Sequence, residues 1–320
     1  MSCLPSPLPD EGEAEGLRRR GPSAVAAAGP CENGAVRTTL IVNPYASRVT
    51  PELADQVARE LGAVEILFTE RAGHASELAR NAETEAVVVY SGDGGFNEAL
   101  NGAQPETLLG FVPGGGTSVL PRALGLPRDP VAAAGQLALG RTRRIAVGRA
   151  NGRRFGFAAG VGLDAELIRR MDARGRRDDG RRPGDAVFAW TAVKTVAEQR
   201  VRFEPVLEVA GHGRAAFALV ANADPYSYVG RFPLRLPHGA RIEGGLDLIA
   251  PRSFRARSLP GAVRYLDTGR TRLPLIELHD QDRIEIRCDG PMPLQLDGED
   301  VGDVTEVFFE AERDAVSVLV

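Results

Sequence analysis

The chain has 320 residues, 43% of them hydrophobic, and a formal net charge of −4. That is enough apolar material for two packed domains, and the acidic balance excludes a nucleic-acid role of the kind that shows as a basic domain or stripe. Cys3, Cys31 and Cys288 are too few and too scattered for a disulfide framework or a zinc cluster, and no uninterrupted apolar run approaches the ~20 residues of a membrane-spanning helix.

Residues 1–36 hold Pro5, Pro7 and Pro9, several acids, and Arg18-Arg19-Arg20 ahead of a short alanine-rich run broken by Gly29 and Pro30. They read as a flexible tail, not as an export signal. From Thr38 onward the pattern alternates: strand Leu40 to Val42, helix near Pro51 to Leu61, strand near Val64 to Phe68, helix near His74 to Asn81, strand Ala86 to Tyr90, a helix at Glu98, strand Leu109 to Val112. Such βαβ repetition predicts a parallel sheet with right-handed crossovers.

Between strand and helix lies Ser91-Gly92-Asp93-Gly94-Gly95-Phe96-Asn97-Glu98. A glycine turn there lets backbone N–H groups and the positive helix end approach an anion. No lysine follows, and Lys194 is the sole lysine, so the P-loop and protein-kinase readings fail. The bland alternative, a plain glycine turn of any doubly wound protein, is weighed against two more turns at the same sheet end: Asn43-Pro44-Tyr45-Ala46-Ser47 and Pro113-Gly114-Gly115-Gly116-Thr117-Ser118. Three converging turns predict a nucleotide site.

After about Arg144 the texture changes to short β-like runs: Arg144 to Val147, Arg154 to Ala158, Val206 to Val209, Phe217 to Ala221, Arg283 to Cys288 and Met292 to Leu296. These predict an antiparallel β domain. The partition expected is a tail over 1–36, an α/β domain over 37–144 to which 309–320 is a candidate to return, and a β-rich domain over 145–308. The interval Glu166 to Arg200 interrupts it with a loop, Ala173 to Gly184, dense in Arg and Asp; it reads first as a solvated charged face. The sharper alternative sets Arg169, Arg170, Arg174 and their neighbours against anionic headgroups, with Val187, Phe188, Trp190 and Val193 toward lipid.

Six motifs then appear in one order: Asn43-Pro44 with Ser47; Gly92-Asp93-Gly94 with Asn97-Glu98; Pro113 to Thr117 with Arg122-Ala123-Leu124-Gly125; Gly160 to Ala165; Glu243 to Leu248; and Leu296-Asp297-Gly298-Glu299. In this the chain resembles the diacylglycerol kinase catalytic-domain family, bacterial lipid kinases related to sphingosine kinases, over roughly residues 37 to 320. The resemblance implies an α/β ATP-binding domain and an antiparallel β-sandwich with the active site in the cleft between them. It implies ATP and Mg2+ as cofactors, a membrane lipid such as diacylglycerol as substrate, and a cytoplasmic protein in peripheral contact with the membrane; a homodimer stays open. By resemblance Asn43, Pro44, Ser47, Thr69, Gly92, Asp93, Gly94, Gly95, Phe96, Asn97, Glu98, Gly116 and Thr117 form the ATP site, Asp93 faces the catalytic Mg2+, and Glu299 accepts the lipid proton with Asp297 as neighbour or metal partner. Glu243 with Ala240 and Gly245 would hold a structural Mg2+, although the family places an Asp where Glu243 stands; a β-turn is the equal alternative.

Two departures bear on activity. The family reads Gly-Gly-Asp-Gly-Thr where this chain has Ser91-Gly92-Asp93-Gly94-Gly95, and Asn-Asp where it has Ser118-Val119. The departures at Gly95 and Val119 suggest a catalytically idle nucleotide- or lipid-binding regulator as one alternative; the other is an NAD kinase-like soluble kinase, a family that shares the Gly-Asp-Gly loop on a similar two-domain plan. His74, His212, His238 and His279 show no metal spacing, and no Gly-x-Ser-x-Gly elbow is present.

Overall fold

The computed structural model describes residues 36–62, 65–173, 202–229 and 232–320. The expected tail, save its last residue, lies outside the described residues, as do the charged loop beyond Ala173 and the four apolar residues expected to meet lipid.

The first half runs β1 (Thr38–Val42), α1 (Pro51–Leu61), β2 (Glu65–Phe68), α2 (His74–Asn81), β3 (Ala86–Ser91), α3 (Asp93–Gly102), β4 (Leu108–Pro113), α4 (Val119–Ala123) and α5 (Pro130–Leu137). Strands pair in parallel in the order β2-β1-β3-β4. β3 is buried along its whole length, which is why its sequence, Ala-Val-Val-Val-Tyr-Ser, is continuously apolar up to its last residue. α1 shows how local chemistry sets the ends: Thr50 accepts the Leu53 N–H at 3.3 Å, Pro51 opens the helix, and Gly62 closes it at φ 61°.

The second half runs β5 (Thr142–Ala150), β6 (Arg153–Phe155), β7 (Ala158–Val161), α6 (Leu163–Ala173), β8 (Arg202–Phe203), β9 (Leu207–Val209), β10 (Gly213–Ala215), β11 (Ala218–Ala221), β12 (Ser227–Val229) and β13 (Phe232–Leu234). It continues with β14 (Leu246–Pro251), β15 (Phe254–Arg255), α7 (Leu259–Thr268), β16 (Leu275–Gln281), β17 (Arg283–Leu296) and β18 (Glu299–Leu319). The runs read separately as Arg283 to Cys288 and Met292 to Leu296 form one strand, β17, whose pairing shifts register between Arg287 and Met292. A bulge there, not a turn, absorbs the polar interruption.

β17 pairs with β7, β9 and β18, so the antiparallel strands enclose their own core of Phe155, Leu207, Ile286, Leu296 and Phe309. β18 also pairs with β5 and, through Val318 against Leu109, runs parallel to β4. One long strand thus joins the two halves.

Candidate active site

Strand β3 delivers the first glycine turn. Helix α3 begins at Asp93 with Gly92 as its cap, so the glycines read as a turn form the first turn of the helix itself. This puts the amides of Gly94 and Gly95 where no intrahelical carbonyl reaches them, the ordinary state of a helix start and a ready anion seat. The loop after β4 lies alongside: a Cβ on Gly115 would come within 2.9 Å of the Gly92 Cα. Most of these glycines are required by protein packing. Side chains at 94, 95 and 114 would meet Glu299 Oε1 at 2.3 Å, Ser91 Oγ at 2.2 Å and Val49 Cγ2 at 2.9 Å, whereas Gly116 faces open space.

The carboxylate against Gly94 comes from 205 positions further along the chain. β17 turns into β18 through Asp297 at φ 50° and Gly298 at φ 80°, with Leu296 paired to Glu299 across a two-residue hairpin of the Asp-Gly kind. Glu299 follows the turn. Its Oε1 rests over Gly94, and its Oε2 accepts from Arg153 Nη2 at 2.9 Å. The same Arg153 Nη2 donates to Asn97 Oδ1 at 3.1 Å.

Asp297 does something other than its expected role. It is buried, with Oδ2 accepting from Asn97 Nδ2 at 2.8 Å and Gly156 N at 2.6 Å, and Oδ1 accepting from Phe157 N at 2.9 Å and Ala158 N at 3.1 Å. Burial pushes its carboxyl up and these four donors pull it back. With its lone pairs so engaged, it clamps helix α3 to the start of β7. Beneath the turn, Gln295 Oε1 accepts from Gly298 N at 2.9 Å, and Gln295 Nε2 donates to Asp164 Oδ2 at 2.9 Å. Tyr226 also donates to Asp164, whose carboxyl is raised by complete burial.

The remaining expected residues divide. Asn43 donates through Nδ2 to Ser91 Oγ at 3.2 Å and accepts from Tyr45 N at 3.0 Å, holding the turn after β1 against the glycine turn; Pro44 and Ser47 are half-buried on that turn. Thr69 is buried, its amide on the Val42 carbonyl at 2.9 Å. Gly116 is exposed and Thr117 half-exposed at the mouth of the second loop, while Phe96 is core, packed edge-on to Phe111 at 5.3 Å. Asp93 Oδ1 accepts from Val119 N at 2.7 Å, capping α4. Glu98 points away from the turn: it accepts from Gly73 N at 2.8 Å and Ala75 N at 3.1 Å, capping α2. A helix start offers orphan amides, and that demand takes this carboxylate from the nucleotide site.

The structural Mg2+ shell is not assembled. Glu243 pairs with the Arg143 guanidinium, and the Gly245 amide donates to Asp280 Oδ1 at 2.7 Å. A carboxylate already neutralised by arginine is a poor cation ligand. No group of three His, Cys, Asp or Glu side chains suited to a metal occurs among the described residues. Arg169 and Arg170, expected against lipid headgroups, pair within the protein: Arg169 with Asp300 at 2.8 Å and Asp303 at 2.7 Å, Arg170 with Glu166 at 2.6 Å. Sequence reasoning missed Arg153, which no motif marks. Arg122, present in the third motif but given no role there, has its guanidinium 3.1 Å from the Tyr228 ring centroid and joins helix α4 to β12.

A parallel α/β domain with glycine-rich strand-to-helix turns, closed by a hairpin carboxylate from an antiparallel domain, defines a two-domain α/β plus β protein with its candidate site between the halves. Residues 37–150 match the family model described as diacylglycerol kinase catalytic domain. Relatives include proteins named diacylglycerol kinase from Bacillus subtilis, 37% identical over 30% of this chain and 33% of that one, and from Staphylococcus epidermidis, 32% identical over 39% and 43%. The chain thus spans less than half the length of these relatives. A crystal structure from Bacillus anthracis described as a diacylglycerol kinase shares the fold, with TM-score 0.67 and 19% identity over 90% of this chain and 98% of that one. No helix among the described residues is long and apolar enough to cross a membrane.

Proposed function

We propose that this protein is an ATP-dependent lipid kinase that transfers the γ-phosphoryl group to the hydroxyl of a membrane lipid such as diacylglycerol, working peripherally at the cytoplasmic face. The observation that carries the reading is the seat of Glu299 on Gly94: a base candidate from one domain meets the anion-binding helix start of the other. The amides of Gly94, Gly95, Gly116 and Thr117 would hold the phosphates, and Asp93 would meet Mg2+ arriving with them. ATP, when bound, supplies the phosphoryl group. Glu299 Oε1 takes the acceptor proton, while Arg153 fixes Oε2 and so orients the carboxylate. The match of residues 37–150 to the diacylglycerol kinase catalytic-domain model supports the same reaction class.

A competing reading, a nucleotide-binding regulator without turnover, draws on the Asp93 oxygen engaged at Val119, where the family pattern has an acid. Both are tested by incubating the full chain with labelled ATP, Mg2+ and a panel of lipid alcohols in mixed micelles. A labelled lipid that Glu299→Ala abolishes, with ATP binding retained in calorimetry, is the expected result. ATP binding without transfer to any lipid favours the regulator, and transfer by Glu299→Ala removes Glu299 from the reaction.

A further inference from the structure

Segment 252–272 breaks the acidic character of the chain. It holds Arg252, Arg255, Arg257, Arg264, Arg270 and Arg272 against a single acid, Asp267, an excess of five positive charges in a protein of net charge −4. Arg255 is neutralised by Glu204 at 3.2 Å, and Arg252 donates to the His212 carbonyl at 3.0 Å. The other four are exposed and make no ion pair among the described residues.

Helix α7 lies inside this segment and, among the described residues, is anchored through Tyr265. Tyr265 is buried, its hydroxyl donating to Glu277 Oε1 on β16 at 2.6 Å, and its carbonyl lies 2.8 Å from His238 Nε2. At about 100° per residue, Leu259, Val263 and Leu266 fall within roughly 60° of one another and turn away from Tyr265. They are 43%, 63% and 37% exposed. Three large apolar side chains sharing one outward face, flanked by unpaired arginines, form the pattern of a helix that lies in the plane of a charged interface.

We propose that α7 docks this protein on an anionic lipid bilayer, with Leu259, Val263 and Leu266 entering the headgroup region and Arg257, Arg264, Arg270 and Arg272 meeting the lipid phosphates. The purpose of such docking rests on the lipid-kinase reading, since a membrane-embedded acceptor must be reached at its interface. A second copy of the chain fits the face less well: a two-fold contact would set the same cationic surface against itself.

The test uses the full chain and flotation with vesicles of phosphatidylcholine alone or mixed with phosphatidylglycerol, without ATP or diacylglycerol. Partition onto the anionic vesicles alone is expected, weakening as salt rises. Arg257→Glu with Arg264→Glu lowers it by at least tenfold, at about fivefold for each arginine lost. Val263→Asp lowers it similarly, whereas Leu139→Asp, at a residue 66% exposed outside the segment, does not. Unchanged melting confirms that the variants fold. Equal partition onto neutral and anionic vesicles overturns the proposal, as does wild-type partition by the α7 variants. So does a Val263→Asp variant that splits a dimer in sedimentation while still floating. Lipid phosphorylation by the wild-type chain in detergent micelles separates the two readings: transfer by a wild-type chain that does not float overturns docking alone, and flotation without transfer overturns the kinase reading alone.

Discussion

Gly94 is the position at which geometry and chemistry can be separated by one methyl group. A Cβ there would lie 2.3 Å from Glu299 Oε1, against an ordinary contact of 3.4 Å or more, so in Gly94→Ala the carboxylate must retreat by about 1 Å. A displacement of about 1 Å at a reacting group costs on the order of 10²-fold in rate. The fold pays almost nothing, because alanine is favoured over glycine by about 1 kcal/mol in a helix and the surface pair of Glu299 with Arg153 is worth roughly 0–1 kcal/mol. The expected outcome is turnover of labelled ATP onto lipid reduced about a hundredfold, with melting within a few degrees of wild type and ATP binding kept. Glu299→Asp in the Gly94→Ala background draws the carboxylate back by one methylene and should restore part of the rate. Wild-type turnover in Gly94→Ala refutes the reasoning, since the overlap would then have no bearing on the reacting group.

Positions 91 and 95 are mutually exclusive: a Cβ at 95 would sit 2.2 Å from Ser91 Oγ and 2.7 Å from Ser91 Cβ, and Ser91 is buried. Gly95→Thr alone should cost about 1–3 kcal/mol by overpacking, and Ser91→Gly with Gly95→Thr should recover most of it in chemical denaturation; equal stabilities of the single and double variants would contradict this. Asp164 gives a pH signature. Its folded carboxyl is raised by burial, with Tyr226 and Gln295 pulling it back, above an unfolded value of about 3.9. Its contribution is therefore complete below that pH and lost as pH rises through the folded value. Asp164→Asn should melt progressively higher relative to wild type as pH increases from about 4 toward neutrality, and a constant difference across that range would exclude Asp164 as the source.

The glycine turns, the parallel strands β1 to β4 and the change to antiparallel strands were legible because each leaves a local pattern: continuous apolar runs for parallel strands, alternation and short runs for the rest. The Asp297-Gly298 hairpin was equally legible from the turn residues. What local pattern does not carry is the competition for a side chain. Glu98 looks like a nucleotide contact in sequence, yet the start of α2, 25 residues upstream at Gly73, claims it. Glu243 looks like a ligand until Arg143, a century of residues away, neutralises it. Helix α7 was not read at all, since its outward face is apolar and only Tyr265 packs inward, inverting the usual pattern.

The four hydrogen bonds of Asp297 bear directly on where Glu299 sits. A hairpin tip is ordinarily mobile, and a base carried on one would wander by more than the ångström that catalysis tolerates. Here the tip is tied immediately ahead of Glu299: Asp297 fastens it to Gly156, Phe157, Ala158 and Asn97, and Gln295 holds the Gly298 amide. Because Asn97 belongs to α3, the same helix whose first turn carries Gly94, the clamp fixes the carboxylate relative to the anion seat itself, not merely relative to its own domain. The buried Asp297 thus holds a half-buried Glu two residues later at a defined distance from Gly94. The motif reads as two acids in sequence, but the structure divides them: Asp297 anchors the turn, and Glu299 is held over Gly94.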